Sequence, residues 1–141
     1  MKAILLVDDS DAELELVRCY LGDWEGRLRI DCARHGAEAL EYVERRGRFS
    51  RIPASPIALV VIDNKMPIMG GIEAVHEMRK AEALRFVPIV MWSGSVDPHD
   101  VVRAYVAGVS SYLRKPASAA EAKQALQLTA RYWLELHCPP P

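Results

Sequence analysis

Short apolar runs alternate with helix-period segments along the whole chain. Ala3–Val7 is continuously apolar, the pattern of a strand buried on both faces. Asp11 then stands where a helix cap would, ahead of Leu14, Val17 and Leu21 on one helical face, with Gly22 as the stop. Leu28–Cys32 reads as a second strand and Ala37–Gly47 as a helix with Ala39, Leu40 and Val43 inward. Arg48–Pro56 contains Pro53 and Pro56, which remove backbone donors and restrict their predecessors, so it is predicted as a loop. Ile57–Ile62 is the clearest buried strand. Ile72–Ala83 follows as a helix after Gly70 and Gly71, Pro88–Trp92 as a strand, Pro98–Ala107 as a helix and Ser110–Leu113 as a short strand. The spacing predicts a long final helix over Ala119–Leu136, ending in the extended tail Pro139–Pro141.

Five strand–helix units in succession predict a parallel sheet covered by helices on both faces. The matching architecture is an α/β flavodoxin-like, doubly wound five-stranded sheet of order 2-1-3-4-5, whose ligands sit at the carboxyl ends of the strands. Chemistry is therefore expected just after strands one, three, four and five. One domain is expected over residues 1–138, with 139–141 as a tail and no output domain.

Composition narrows the reading without redirecting it. The 141 residues are half apolar and carry a formal net charge of −1, which gives no global attraction to nucleic acid or an anionic membrane. No apolar run approaches the roughly 20 residues of a membrane span. Met1 and Lys2 lead directly into a strand, without a signal-peptide pattern. Cys19, Cys32 and Cys138 form no C-x-x-C pair, so neither a zinc site nor a disulfide framework is expected. A cytoplasmic location is the expectation. His35, His76, His99 and His137 share no metal-ligand spacing and read as surface residues.

Asp8 and Asp9 follow the first strand and Asp63 the third, which places three carboxylates in one pocket. A single aspartate there is more often a solvated loop residue or a cap. Three that close repel one another unless a cation neutralises them, and Mg²⁺ needs only a few protein oxygens. Ser93 after strand four offers a hydroxyl, and Lys115 after strand five an ammonium, with Pro116 holding the turn. A phosphoryl group on Asp63 would present three oxygens, which the metal, the hydroxyl and the ammonium could meet.

Val7-Asp8-Asp9, the run from Ile62 to Gly71, Trp92-Ser93-Gly94 and Tyr112-Leu113-Arg114-Lys115-Pro116 resemble the receiver domains of two-component response regulators. The resemblance covers nearly the whole chain, in order. It implies Asp63 as phosphoacceptor, with Asp9 binding the metal directly and Asp8 through water. The Lys65 backbone carbonyl would be the third protein ligand, Ser93 and Tyr112 the switch pair, and Lys115–Pro116 a cis peptide. The phosphoryl donor would be a histidine kinase, and the chain a phosphotransfer substrate that assists its own modification, not an enzyme. Three positions depart from the family pattern: Gly70, Ala117 and Lys65. The Lys65 ammonium is placed to reach a nearby acidic residue or the phosphoryl group.

The proline-containing insert and the helix end Arg131-Tyr132-Trp133-Leu134-Glu135-Leu136 resemble stand-alone regulators paired with phytochrome histidine kinases. On the final helix, Ala122, Leu126, Ala130 and Trp133 form one stripe toward the sheet. Leu128, Tyr132 and Leu136 form a second, which Val101, Val102 and Tyr105 would extend. The second stripe predicts a homodimer through the last two helices, or else a wider core contact. Two enzyme readings fail on the residues. A dehalogenase-type phosphatase wants a second Asp where Lys65 stands, and a flavin-phosphate loop would not hold Asp8 and Asp9. A receiver-like interaction scaffold working without phosphorylation stays open as the alternative.

Overall fold

The computed structural model describes residues 1–53 and 55–141. Strands β1 (Ala3–Val7), β2 (Arg29–Ala33), β3 (Ile57–Ile62), β4 (Ile89–Ser93) and β5 (Ser111–Arg114) alternate with helices α1 (Asp11–Tyr20), α2 (Gly36–Glu44), α3 (Gly71–Met78), α4 (Pro98–Ala107) and α5 (Ala119–Arg131). All pairings are parallel and the sheet order is β2-β1-β3-β4-β5, as the pattern predicts.

The continuous apolar runs are explained by burial on both faces. Leu5, Val7, Val60, Ile62, Ile89 and Met91 project into one core with Ala39 and Tyr42 of α2, Ala74 and Val75 of α3 and Ala104 of α4. Their neighbours Ile4, Leu6, Leu59, Val61, Val90 and Trp92 point the other way, onto Leu14 and Val17 of α1 and Leu126 and Ala130 of α5. The period-two alternation of strand side chains thus divides one sheet between two cores.

Several local expectations are corrected. The cap of α1 is Ser10, not Asp11: Ser10 is extended (φ −94°, ψ 115°) and its hydroxyl accepts from the Glu13 amide at 3.2 Å. Asp11 lies inside the first turn, where its charge complements the helix dipole, and it pairs with Arg34 at 2.8 Å. His35 is not a free surface residue; its Nδ1 accepts from the Glu38 amide at 3.2 Å and caps α2. The α2 helix stops at Glu44 because Arg45 turns left-handed (φ 58°). The α3 helix ends at Met78, and Glu82–Leu84 form a separate 3₁₀ turn that buries Leu84.

The segment predicted as a loop over Arg48–Pro56 is not wholly irregular. Gly47–Phe49 make a 3₁₀ turn that buries Phe49 edge-on against Tyr42, ring centroids 5.2 Å apart. Ala54 of that segment lies outside the described residues. Among the described residues there is no cis peptide bond, so Lys115–Pro116 is trans, the isomer an X–Pro bond intrinsically favours.

The final helix passes at Tyr132 into a π-helical turn, Tyr132–Leu136. Its first stripe joins the core as expected, with Leu126 and Ala130 buried and Ala122 and Trp133 packed against them. Leu128, Tyr132 and Leu136 of the second stripe are 60%, 48% and 70% exposed, so it does not widen the core contact. No helix among the described residues is long and apolar enough to cross a membrane.

Candidate functional site

The carboxyl ends of β1 and β3 are joined side by side in the sheet, and this brings the aspartates together. The Asp8 amide donates to the Ala33 carbonyl at 3.1 Å and the Asp63 amide to the Val7 carbonyl at 2.8 Å, so both leave the sheet edge in fixed directions. The Ser10 amide donates to the Asp8 carboxylate at 3.0 Å. Asp8 is buried, Asp63 half-buried and Asp9 exposed; one carboxylate oxygen from each lies within 4.8 Å of the others. Gly71 is required beneath them, since a Cβ there would collide with the Asp63 carbonyl. Its amide donates to the Asn64 carbonyl at 2.9 Å, drawing the start of α3 against the loop after β3.

Lys115 enters from the end of β5, held by its own amide, which donates to the Ser93 carbonyl at 2.8 Å. Its ammonium stands 3.5 Å from Asp8, 3.6 Å from Glu13 and 3.7 Å from Asp63. Glu13 is an addition to the expected set. It lies on α1 one turn past Asp9, a spacing that carries no signal until the helix is docked on the sheet.

Three carboxylates around one ammonium, with the exposed Asp9 close to two of them, leave the pocket an excess of negative charge. Burial pushes the Asp63 carboxyl up to about 6 from an ordinary 3.8, Asp8 adds to the rise, and Lys115 opposes it. The Asp8 carboxyl is also raised, chiefly by burial, against the pull of the Ser10 amide and Lys115. All-oxygen donors, mutually repelling and partly dehydrated, are a donor set that suits a hard divalent cation such as Mg²⁺. Asp8, Asp9 and Asp63 fit that role. Beneath them lies a cavity of about 10 Å³ lined by Asp8, Glu13, Asp63 and Trp92 among others, which puts the Trp92 indole against the pocket floor.

Ser93 is buried, and its hydroxyl oxygen accepts from the Ser95 amide at 3.2 Å, which leaves its hydrogen free to donate. Tyr112 reaches across the same loop, its hydroxyl donating to the Ser95 carbonyl at 2.7 Å. Lys65, two residues past Asp63, carries its ammonium to Asp100 on α4 at 3.2 Å, so the acidic partner open to it from the sequence is Asp100. Asp100 is buried, and its pairing with Lys65 is not legible in the sequence, because only the packing of α4 beside the loop after Asp63 brings the two together.

Residues 4–127 match the family model of the response regulator receiver domain. The chain is 32% identical over 132 residues to the probable methanogenesis regulatory protein FilR2 of Methanothrix harundinacea, spanning 93% of this chain and 83% of that protein. Its fold is similar to the phosphorylated cyanobacterial phytochrome response regulator RcpA, with a TM-score of 0.89, 25% identity and 99% of both chains covered. It is likewise similar to the Mn²⁺-bound response regulator Rcp1 of Synechocystis, with a TM-score of 0.87, 27% identity and 100% of both chains covered. With the sheet order and the acidic pocket already described, these matches place the chain in the response regulator receiver domain family.

Proposed function

We propose that this chain is a Mg²⁺-dependent phosphoacceptor that takes a phosphoryl group on Asp63 from a histidine kinase and signals through an altered binding surface. The observation that carries the reading is the convergence of Asp8, Asp9 and Asp63 within 4.8 Å, with the Lys115 ammonium beside them. In the transfer, an Asp63 carboxylate oxygen bonds to phosphorus as the phosphorus–nitrogen bond to the donor histidine breaks. Lys115 meets one phosphoryl oxygen and the free hydrogen of Ser93 another. Asp8, Asp9, Asp63 and the Lys65 backbone carbonyl would hold Mg²⁺, which would supply neutralisation of the charge gathered on the phosphoryl oxygens. Tyr112, fastened to the loop that carries Ser95, relays occupancy of the site to α4 and β5.

Likeness to RcpA over 99% of the chain supports a phytochrome-type kinase as the donor, acting in the cytoplasm. The exposed Leu128, Tyr132 and Leu136 on the final helix, with Val102 and Tyr105 on α4, support a two-fold homodimer as the signalling form. Titrating the protein with Mg²⁺ and beryllofluoride, a mimic of the aspartyl phosphate, while following Trp92 emission and molecular mass tests the whole reading. A saturable, Mg²⁺-dependent change that Asp63→Asn abolishes is the expected result. A silent titration would favour an interaction module that works without phosphorylation.

A further inference from the structure

Four polar side chains are buried among the described residues: Asp8, Asn64, Ser93 and Asp100. The first three belong to the acceptor pocket or the loop that leaves it. Asp100 lies in the first turn of α4, yet it is tied to that same loop. Its Oδ2 is 3.2 Å from the Lys65 ammonium, and its Oδ1 is 3.5 Å from Arg103, one turn further along its own helix. The Arg103 contact is local to α4, whereas the Lys65 contact joins two elements.

We infer that Asp100 is a positioning residue for the acceptor site: it holds the Lys65 ammonium on the α4 side of the loop and keeps a second cation out of the Asp8–Asp9–Asp63 cluster. The inference rests on the metal-binding reading of that cluster. Lys65 is itself 70% exposed, so little but the ion pair restrains its four-carbon stem. Two residues back along the chain is Asp63, which with Asp8 and Glu13 shares a single ammonium, that of Lys115, and has the Asp9 carboxylate close by. A lysine released from Asp100 is drawn to that excess of negative charge, and once there it competes with a divalent cation for the same oxygens. Asp100 is the better holder because its own carboxylate is sheltered by α4, where the pairing is less screened than at the open surface.

Mg²⁺ titrations of wild type, Asp100→Asn, Lys65→Ala and the double variant, read by Trp92 emission, test this. Asp100→Asn is expected to weaken Mg²⁺ binding by roughly three- to tenfold, the scale of one added charge at contact distance in a solvated pocket. In the Lys65→Ala background, which keeps the backbone carbonyl, the same change is expected to have no effect. A loss of equal size in both backgrounds would mean that Asp100 acts by its own charge or by supporting α4, and would overturn the inference, as would no loss in either. A metal-free readout accompanies the titration. In Asp100→Asn the Lys65 side-chain protons should exchange their nuclear Overhauser contacts with α4 for contacts with the loop after β1. Contacts that stay on α4 overturn the inference even where Mg²⁺ binding weakens. If wild type itself binds no Mg²⁺ but the contacts move as stated, the metal-binding reading fails and the positioning role stands. Should Asp100→Asn not fold, Asp100→Ser, compatible with a helix start, replaces it in both measurements.

Discussion

The Tyr112 hydroxyl donates a 2.7 Å hydrogen bond to the Ser95 carbonyl, so the second residue of the edge strand β5 fastens the loop that follows β4. Ser93, whose hydroxyl oxygen accepts from the Ser95 amide, anchors the same loop from the other side. Tyr112→Phe removes one bond and keeps the ring, at a cost of about 1 kcal/mol. Amide exchange should therefore quicken by roughly fivefold at Gly94–Val96 and stay unchanged in the α1–α5 core. Unchanged exchange in the loop would show that it is held by Ser93 alone.

Asp63 weakens the fold that contains it. Its carboxyl titrates at about 6 in the folded chain against an ordinary 3.8, so the folded state binds the proton more tightly than the unfolded state. The stabilising contribution is complete below 3.8 and is lost as pH rises through about 6. Asp63→Asn should then raise the melting temperature of the metal-free protein at neutral pH by about 3–6 °C, equivalent to roughly 1–2 kcal/mol after discounting for solvent screening. The gain should vanish near pH 4. A variant no more stable than wild type at neutral pH would contradict the burial of this carboxylate.

Lys115 is the cation that limits this effect, standing within 3.5–3.7 Å of Asp8, Glu13 and Asp63. Replacing it by alanine should move the Asp63 titration further upward, since the close positive charge that opposes the effect of burial is removed. Carboxyl carbon shifts followed against pH in the metal-free protein measure it directly.

Arg79 is expected to be structural. Its guanidinium donates to the carbonyls of Gly108 at 2.8 Å, Leu84 at 2.6 Å and Val87 at 2.7 Å, and it has no carboxylate partner among the described residues. It thereby joins the end of α3, the approach to β4 and the end of α4. Arg79→Ala strands three carbonyls and should cost about 2–4 kcal/mol in chemical denaturation. Arg79→Lys should recover little, since an ammonium cannot span the same fork.

The exposed stripe on the final helix gives a prediction that separates association from folding. Leu128→Glu and Leu136→Glu alter side chains that are 60% and 70% exposed, so the melting temperature of the monomer should barely move. If the stripe forms the proposed dimer, light scattering should show the variants monomeric at concentrations where wild type with beryllofluoride is dimeric. A wild type that stays monomeric in both states would remove the dimer from the reading.

Hydrophobic periodicity by itself determined the five strand–helix units, because a parallel sheet buried on both faces must be written as continuous apolar runs; the sheet order and the ligand edge came from matching those units to the doubly wound architecture. It also singled out Asp8, Asp9, Asp63, Ser93 and Lys115 as a set, since each lies at or within two residues of the carboxyl end of a strand and strand ends are fixed in space by the sheet. The helix limits were less legible: whether Ser10 or Asp11 caps α1 depends on which has extended backbone angles, and both side chains can cap. Tertiary structure alone decided the residues whose meaning comes from a neighbour distant in sequence. Glu13 reaches Lys115 only because α1 and β5 meet the same sheet edge. Asp100 reaches Lys65 only because α4 packs beside the loop after β3, and Arg79 finds its three carbonyls only where two helices and a strand converge. Charges on helices and loops are set by no local period, so their partners become visible only when the chain is folded.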